Sequence, residues 1–188
     1  MMKTVAIVGN ASRTRDFAPY GDPAVDIWLM SFHALDVPRV SGVLEMHPYV
    51  LDPGLGVPDD ERYETWLQQP HDLPIWMHDP LPEIPASVRF PRAEINARFG
   101  RGLWKGEREL VNLYATTTVY ALALALFLDY ERIEIYGAEL RSRPDSEERD
   151  LVFFWMGKVT ALGVDVVIHP MSRLVEESLY PFPTAAGR

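Results

Sequence analysis

The chain opens on Thr4-Val5-Ala6-Ile7-Val8, a β-branched apolar run closed by Gly9 and the turn Asn10-Ala11-Ser12. A strand without polar alternation must be covered on both faces, which points to the interior of a parallel sheet with helices packed on either side. Later segments repeat the pattern. Val25 to Phe32 and Gly42 to His47 read as the second and third strands, and Leu73 to His78 as a short fourth. Between them, Pro48 to Pro58 is loop-like, and Asp59 to Gln69 has helical composition with Asp59 or Asp60 as its cap. Pro80 to Pro91 holds four prolines, which excludes a long helix or an interior strand and leaves an ordered loop or lid. A short helix is expected over Arg92 to Phe99.

The carboxyl-terminal half carries the clearest signals. Thr116-Thr117-Thr118 lead into Val119 to Leu126, an Ala/Leu run that is apolar all round and so lies between layers. Arg132 to Gly137 reads as a strand. Asp145 and Glu148, at capping-box spacing, then open a helix with Leu151, Phe154, Trp155, Val159 and Leu162 on one face, ended by Gly163. Val164 to Pro170 is the last strand, and Ser172 opens or caps a polar helical segment. A βαβ crossover of this kind places both strands in one parallel sheet. The expected fold is a single Rossmann-like α/β domain over residues 1–188, mostly parallel with helices on both faces, and with 182–188 a flexible tail.

Composition narrows the function classes. A net charge of -9 and a pI near 5.0 argue against bulk nucleic acid and anionic lipid as partners. One local exception is the run of basic residues Arg89, Arg92, Arg98, Arg101, Lys105 and Arg108, read as a solvated face or a site for phosphate. The absence of cysteine excludes disulfides and thiol chemistry and fits a cytoplasmic setting. The apolar stretch Tyr114 to Leu128 is shorter than the ~20 residues a bilayer requires, and the amino terminus has no signal-peptide pattern. No cofactor or metal is expected, since no third ligand stands at convincing spacing beside Glu45 and His47. A homo-oligomer stays open.

In parallel sheets the ligand crevice lies outside the carboxyl ends of the strands, and that rule selects the candidates. Gly9, Asn10 and Ser12 follow the first strand, where glycine permits close backbone approach and amides or a hydroxyl can hold phosphate. Arg13 could neutralise it, or pair with Asp16 or Asp22. Thr116 and Thr117 begin a helix whose amino end carries unpaired N–H groups, and one threonine there can equally be a cap. Glu45 and His47 form a carboxylate–imidazole pair suited to acid/base work. Gly137 and Glu139 end another strand, with Glu139 placed to hold a ribose or acceptor hydroxyl, or to pair with Arg141 or Arg143. Ser172 ends the last. The aromatics Tyr120, Phe153, Phe154 and Trp155 stand at helical spacing and read as core.

In this order the motifs resemble those of the bacterial sialyltransferases of glycosyltransferase family 42 and of a wider group of Rossmann-like proteins in bacteria and phages. That family opens on a strand and a Gly-Asn-Gly-Pro-Ser turn, here Gly9-Asn10-Ala11-Ser12. It follows with a Thr-Ser-Gly helix start, an Ala-rich helix, a strand ending in Gly-x-Asp and a last strand ending in Pro-x-Ser-x-Leu. The counterparts here are Thr116-Thr117-Thr118, Ala121 to Leu126, Gly137-Ala138-Glu139 and Pro170-Met171-Ser172-Arg173-Leu174. The resemblance implies that Asn10, Ser12, Thr116 and Thr117 contact a cytidine nucleotide. The family's catalytic histidine would fall in Arg141 to Arg149, which holds no histidine, so Glu45, His47 or Glu139 would have to replace it. The expected function is a nucleotide or nucleotide-sugar binder, as a small glycosyltransferase-like enzyme. The alternatives are a non-catalytic sequestering or sensing module, and a phage or assembly protein that retains the fold.

Overall fold

A computed structural model describes residues 2–30, 37–47, 61–100, 104–105, 107–109, 113–114, 116–139 and 147–175. In chain order the elements are β1 (Thr4–Val8), α1 (Ser12–Arg15), β2 (Val25–Met30), β3 (Gly42–Leu44), α2 (Glu61–Leu67), β4 (Ile75–Met77), β5 (Ser87–Arg89), α3 (Arg92–Phe99), β6 (Trp104–Lys105), β7 (Arg108–Glu109), α4 (Thr117–Phe127), β8 (Arg132–Tyr136), α5 (Glu147–Ala161) and β9 (Asp165–Ile168). Seven strands form one parallel sheet in the order β5-β4-β3-β2-β1-β8-β9, and β6 and β7 pair antiparallel apart from it.

β1 is buried at all five positions, as its unbroken apolar run requires, because both of its faces serve a core. Val5 and Ile7 face the layer of α3, α4 and α5, where Leu122, Trp155 and Val159 pack. Ala6 and Val8 face the opposite layer, with Tyr63 and Leu67 of α2. Helix α4 is buried all round its middle because it is wedged between the sheet and its helical neighbours. The chain moves outward from β1 through β2, β3, β4 and β5, then returns to lay β8 on β1's other side. The direction of winding thus reverses between β1 and β8, the point at which open α/β sheets form a ligand crevice.

Several boundaries depart from the sequence expectation. β3 stops at Leu44, so Glu45 and His47 lie beyond the strand, although the Glu45 amide still donates to Trp76 O at 2.9 Å. The proline-rich segment contains β5, which Phe90 N fastens to Met77 O; as an edge strand it leaves one side free of ladder bonds, which is where prolines nearby are tolerated. The hairpin of β6 and β7 has no strong propensity signal and was not anticipated. On α5 the buried positions are Val152, Trp155, Met156 and Val159, while Phe153 and Leu162 are exposed; the helix ends at Ala161, and Gly163 takes φ +88. Residues 173–175 beyond Ser172 are bent, not helical. Ser31, Phe32, the Pro48 to Pro58 loop, Asp59, Asp60, Asp145, the rest of segment 140–146 and the 182–188 tail lie outside the described residues.

Candidate functional site at the β1–β8 edge

The first turn is built by two glycines in backbone contact. Gly9 N donates to Tyr136 O at 2.8 Å and Ala11 N to Gly137 O at 2.9 Å, extending the β1–β8 ladder past both strand ends. A Cβ on Gly9 would stand 2.5 Å from Gly137 O, and one on Gly137 would stand 2.4 Å from Gly9 O. Gly137 also takes φ +60, a conformation that L side chains enter at a cost. Its amide donates to Thr14 Oγ1 at 2.7 Å, and Thr14 is completely buried. The glycines first serve the closure of the turn, and the turn in turn sets the position of Asn10, Ser12 and Arg13 on the carboxyl edge.

Arg13 and Glu139 face each other across that edge. Arg13 Nε lies 3.4 Å from Glu139 Oε1, with the Glu139 side chain 18% exposed. The contact is an ion pair without a hydrogen bond, and Oε1 is buried with no hydrogen-bond partner. A buried acceptor in that state costs free energy, so this oxygen is suited to an incoming donor. The partner found for Arg13 is therefore Glu139 and neither Asp16 nor Asp22, since Arg15 takes Asp16 at 3.1 Å; Arg141 and Arg143, the expected partners of Glu139, lie outside the described residues.

Thr116 is the N-cap of α4, in extended conformation, with its side chain accepting from Val119 N at 3.4 Å. Thr118 is buried and donates to Met30 Sδ at the end of β2. The methyl of that same Met30 would lie 2.7 Å from a Cβ on Gly9, so the start of α4 adjoins the first turn. Thr116, Thr117, Gly9, Asn10, Ser12, Arg13, Gly137 and Glu139 thus share one edge of the sheet. Ser172 is less central: it follows β9, and its hydroxyl accepts from Leu174 N at 3.1 Å.

Glu45 and His47 form a second group two strands from β1, roughly 10 Å away at about 4.8 Å per strand. Glu45 is 3% exposed. Its Oε1 meets His47 Nδ1 at 3.0 Å, and its Oε2 accepts from Tyr63 Oη at 2.9 Å. His47 N also lies 3.4 Å from Oε1. The bond to the carboxylate raises the His47 pKa above its ordinary value, against the opposing effect of partial burial. A buried carboxylate fixing one ring nitrogen, and itself fixed by a phenol, is the arrangement that orients a histidine for proton transfer. Tyr63 and Thr14 were both missed in the sequence. Tyr63 stands four residues before Leu67, and that spacing signals a buried face of α2 without revealing where the hydroxyl goes. Nothing in the sequence around Thr14 signals its bond to an amide 123 residues away.

Among the described residues no three His, Asp or Glu side chains are grouped to hold a metal, and no helix is long and apolar enough to cross a membrane. A groove of about 320 Å³ lined by Arg98, Phe99, Asp129 and Leu162 opens at the amino edge, opposite these residues. No family model matches the chain, and no curated protein does. Among solved structures it is similar to the sialyltransferase CstII from Campylobacter jejuni in complex with cytidine-5'-monophosphate, at 15% identity over 96% of this chain and 92% of that one, with a TM-score of 0.47. It is similar also to the same enzyme in complex with CMP-3FNeuAc, at 14% identity over 96% and 93%, with a TM-score of 0.48.

Proposed function

We propose that this protein binds a nucleotide or nucleotide sugar across the carboxyl ends of β1 and β8, as a glycosyltransferase-like protein. The observation that carries the reading is the Arg13–Glu139 pair at the point where the sheet reverses, with Glu139 Oε1 buried and without a hydrogen-bond donor. A ligand with a phosphate and a vicinal diol supplies what each member lacks: an anion for Arg13 and a hydroxyl donor for Glu139. Asn10, Ser12, Thr116 and Thr117 flank the same edge and complete the polar lining, the set that the motif resemblance also implies.

If transfer occurs, His47 is the proton acceptor, with Glu45 and Tyr63 holding its ring. Glu139 is less suited, because its Oε1 is already engaged by the Arg13 guanidinium at 3.4 Å and, among the described residues, no side chain orients it as Glu45 orients His47. The test is a thermal shift across nucleoside mono- and diphosphates and nucleotide sugars. A ligand at 100 times its dissociation constant stabilises by roughly 2.7 kcal/mol. Arg13→Ala and Glu139→Gln should each reduce that shift, and the absence of any shift across the panel sinks the reading. With binding established, turnover unchanged in His47→Gln removes His47 from the mechanism, and the absence of turnover with every bound nucleotide sugar favours the non-catalytic alternative.

A further inference from the structure

The two edges of the seven-stranded sheet are finished differently. β5, at one edge, is flanked by Pro85 and Pro91, and its last residue, Arg89, pairs with Asp79 at 2.6 Å. Proline and charge are what keep an edge strand from pairing with a further strand. β9, at the other edge, reads Asp165-Val166-Val167-Ile168, with no proline inside it and a single charge at its start. Asp165 N and His169 N donate to Glu131 O and Ile135 O, so the odd-numbered residues aim their backbone groups at β8. Alternation turns the N–H and C=O groups of Val166 and Ile168 outward, and among the described residues no strand pairs with that side.

The flank of α5 is complementary to itself at the same place. One side of the helix is taken, since Trp155 Nε1 donates to Leu113 O and Lys158 Nζ to Phe99 O. At 3.6 residues per turn, Phe153, Met156, Gly157 and Thr160 fall on the other side. Phe153 is 37% exposed, and a Cβ on Gly157 would meet nothing within 4 Å. A two-fold axis through Val167 and between Met156 and Gly157 sets Phe153 on the partner's Thr160 and Met156 on the partner's Gly157, large against small each time. One axis serves both layers, because Val167 is about 7 Å along β9 from Asp165 and the Met156–Gly157 midpoint is about 7 Å back along α5 from Ala161. Across it, Val166 and the partner's Ile168 exchange both of their backbone hydrogen bonds, and Ile168 and the partner's Val166 do the same. Val167 meets the partner's Val167 on the face opposite α5. With α5 about 22 Å long and helix plus sheet roughly 20 Å deep, the flank is about 440 Å² on each copy. The sum, roughly 900 Å², is below that of stable complexes and suits a dimer that forms and dissociates with concentration.

We propose that β9 and α5 form a two-fold interface between two copies of this chain, joining two seven-stranded sheets into one of fourteen strands. Sedimentation equilibrium of the full chain should give a mass that rises with concentration from 21.4 kDa toward twice that value. Val167→Lys sets two ammonium groups against each other across the axis, while within one copy the new side chain stands beside Glu134 and the fold is kept. Gly157→Arg fills the open space at the helix crossing. Each variant should raise the dissociation constant by about tenfold or more, with the Tm of the dilute chain not lowered. Amide hydrogen exchange gives a second reading. Val167, whose amide faces β8, should be protected at every concentration, and Val166 and Ile168 only where the dimer forms. A mass of one chain up to about 1 mM, or association that either variant leaves unchanged, overturns the interface. Protection of Val166 and Ile168 in the dilute monomer overturns it too, because a segment of the same chain would then cover the edge.

Discussion

Gly137→Ala is the sharpest test of how the β1–β8 edge is assembled. The substitution meets two costs. The residue sits at φ +60, where an L side chain costs roughly 1–2 kcal/mol. Its new methyl would then stand 2.4 Å from the Gly9 carbonyl oxygen and 2.9 Å from its carbon. That obstacle is backbone inside a hydrogen-bonded ladder, so it cannot swing aside as a side-chain tip would, and overpacking of this kind costs about 1–3 kcal/mol. Together the loss is roughly 2–5 kcal/mol, which in a chain of this size lowers Tm by about 4–20 °C. Gly163→Ala is the control, since Gly163 also has positive φ, +88, but nothing lies within 4 Å of its added Cβ; it should cost only the conformational part. Denaturant unfolding of both variants separates the two contributions. If Gly137→Ala is no more damaging than Gly163→Ala, the close approach of the two turns is refuted. The double variant Gly9→Ala/Gly137→Ala should lose less than the sum of its parts, since one displacement of the two turns relieves both clashes.

Other consequences are open to measurement. Glu45→Gln removes the charge that raises the His47 pKa, so the imidazole should titrate at lower pH, read from its ring signals; an unmoved titration sinks the pair. The sign for stability follows from linkage. A raised folded pKa contributes stability that is fully present below the unfolded value near 6.5 and is lost as pH rises through the folded value, so Glu45→Gln should flatten that part of the pH profile. Tyr63→Phe leaves the buried Glu45 Oε2 without its 2.9 Å donor and should cost about 1–3 kcal/mol in urea unfolding; a loss below about 0.5 kcal/mol would mean that the bond is replaced. Gly157→Ala lies within α5 with nothing within 4 Å of its Cβ, and should stabilise by roughly 0.5–1 kcal/mol through helix propensity.

The sheet was legible because β1 and α4 leave the chain few choices: a five-residue strand whose one polar position is Thr4 at its start and a helix with no polar face can only be interior. α3 was placed to the residue. The edges of elements were harder, since Glu45, Met46 and His47 have the alternation of a strand but continue past the end of β3, where the Glu45 amide makes a last bond to Trp76 O. Resolving the candidate site required three dimensions for a different reason. Arg13 and Glu139 were candidates from the sequence and Thr14 and Tyr63 were not, but the partners of all four are 18 to 126 residues distant, and pairings at that range follow from strand order, which no local pattern encodes.

Strand order also decides between the two readings of Gly9. As a turn residue alone, it would tolerate alanine wherever its own backbone angles allow, since its φ is not among the positive values. The restriction instead comes from outside, through Gly137 O and the Met30 methyl. Those neighbours are the ends of β8 and β2, the two strands that flank β1. The same closeness that makes Gly9 structurally necessary places Arg13 opposite Glu139 and the α4 start beside Met30. The structural role and the proposed ligand-binding role are therefore compatible, and a Gly9→Ala variant should lose stability and nucleotide response together, whereas Arg13→Ala should lose the response with stability retained. Loss of stability in Gly9→Ala with the nucleotide response intact would show that the turn closes the sheet and does nothing further.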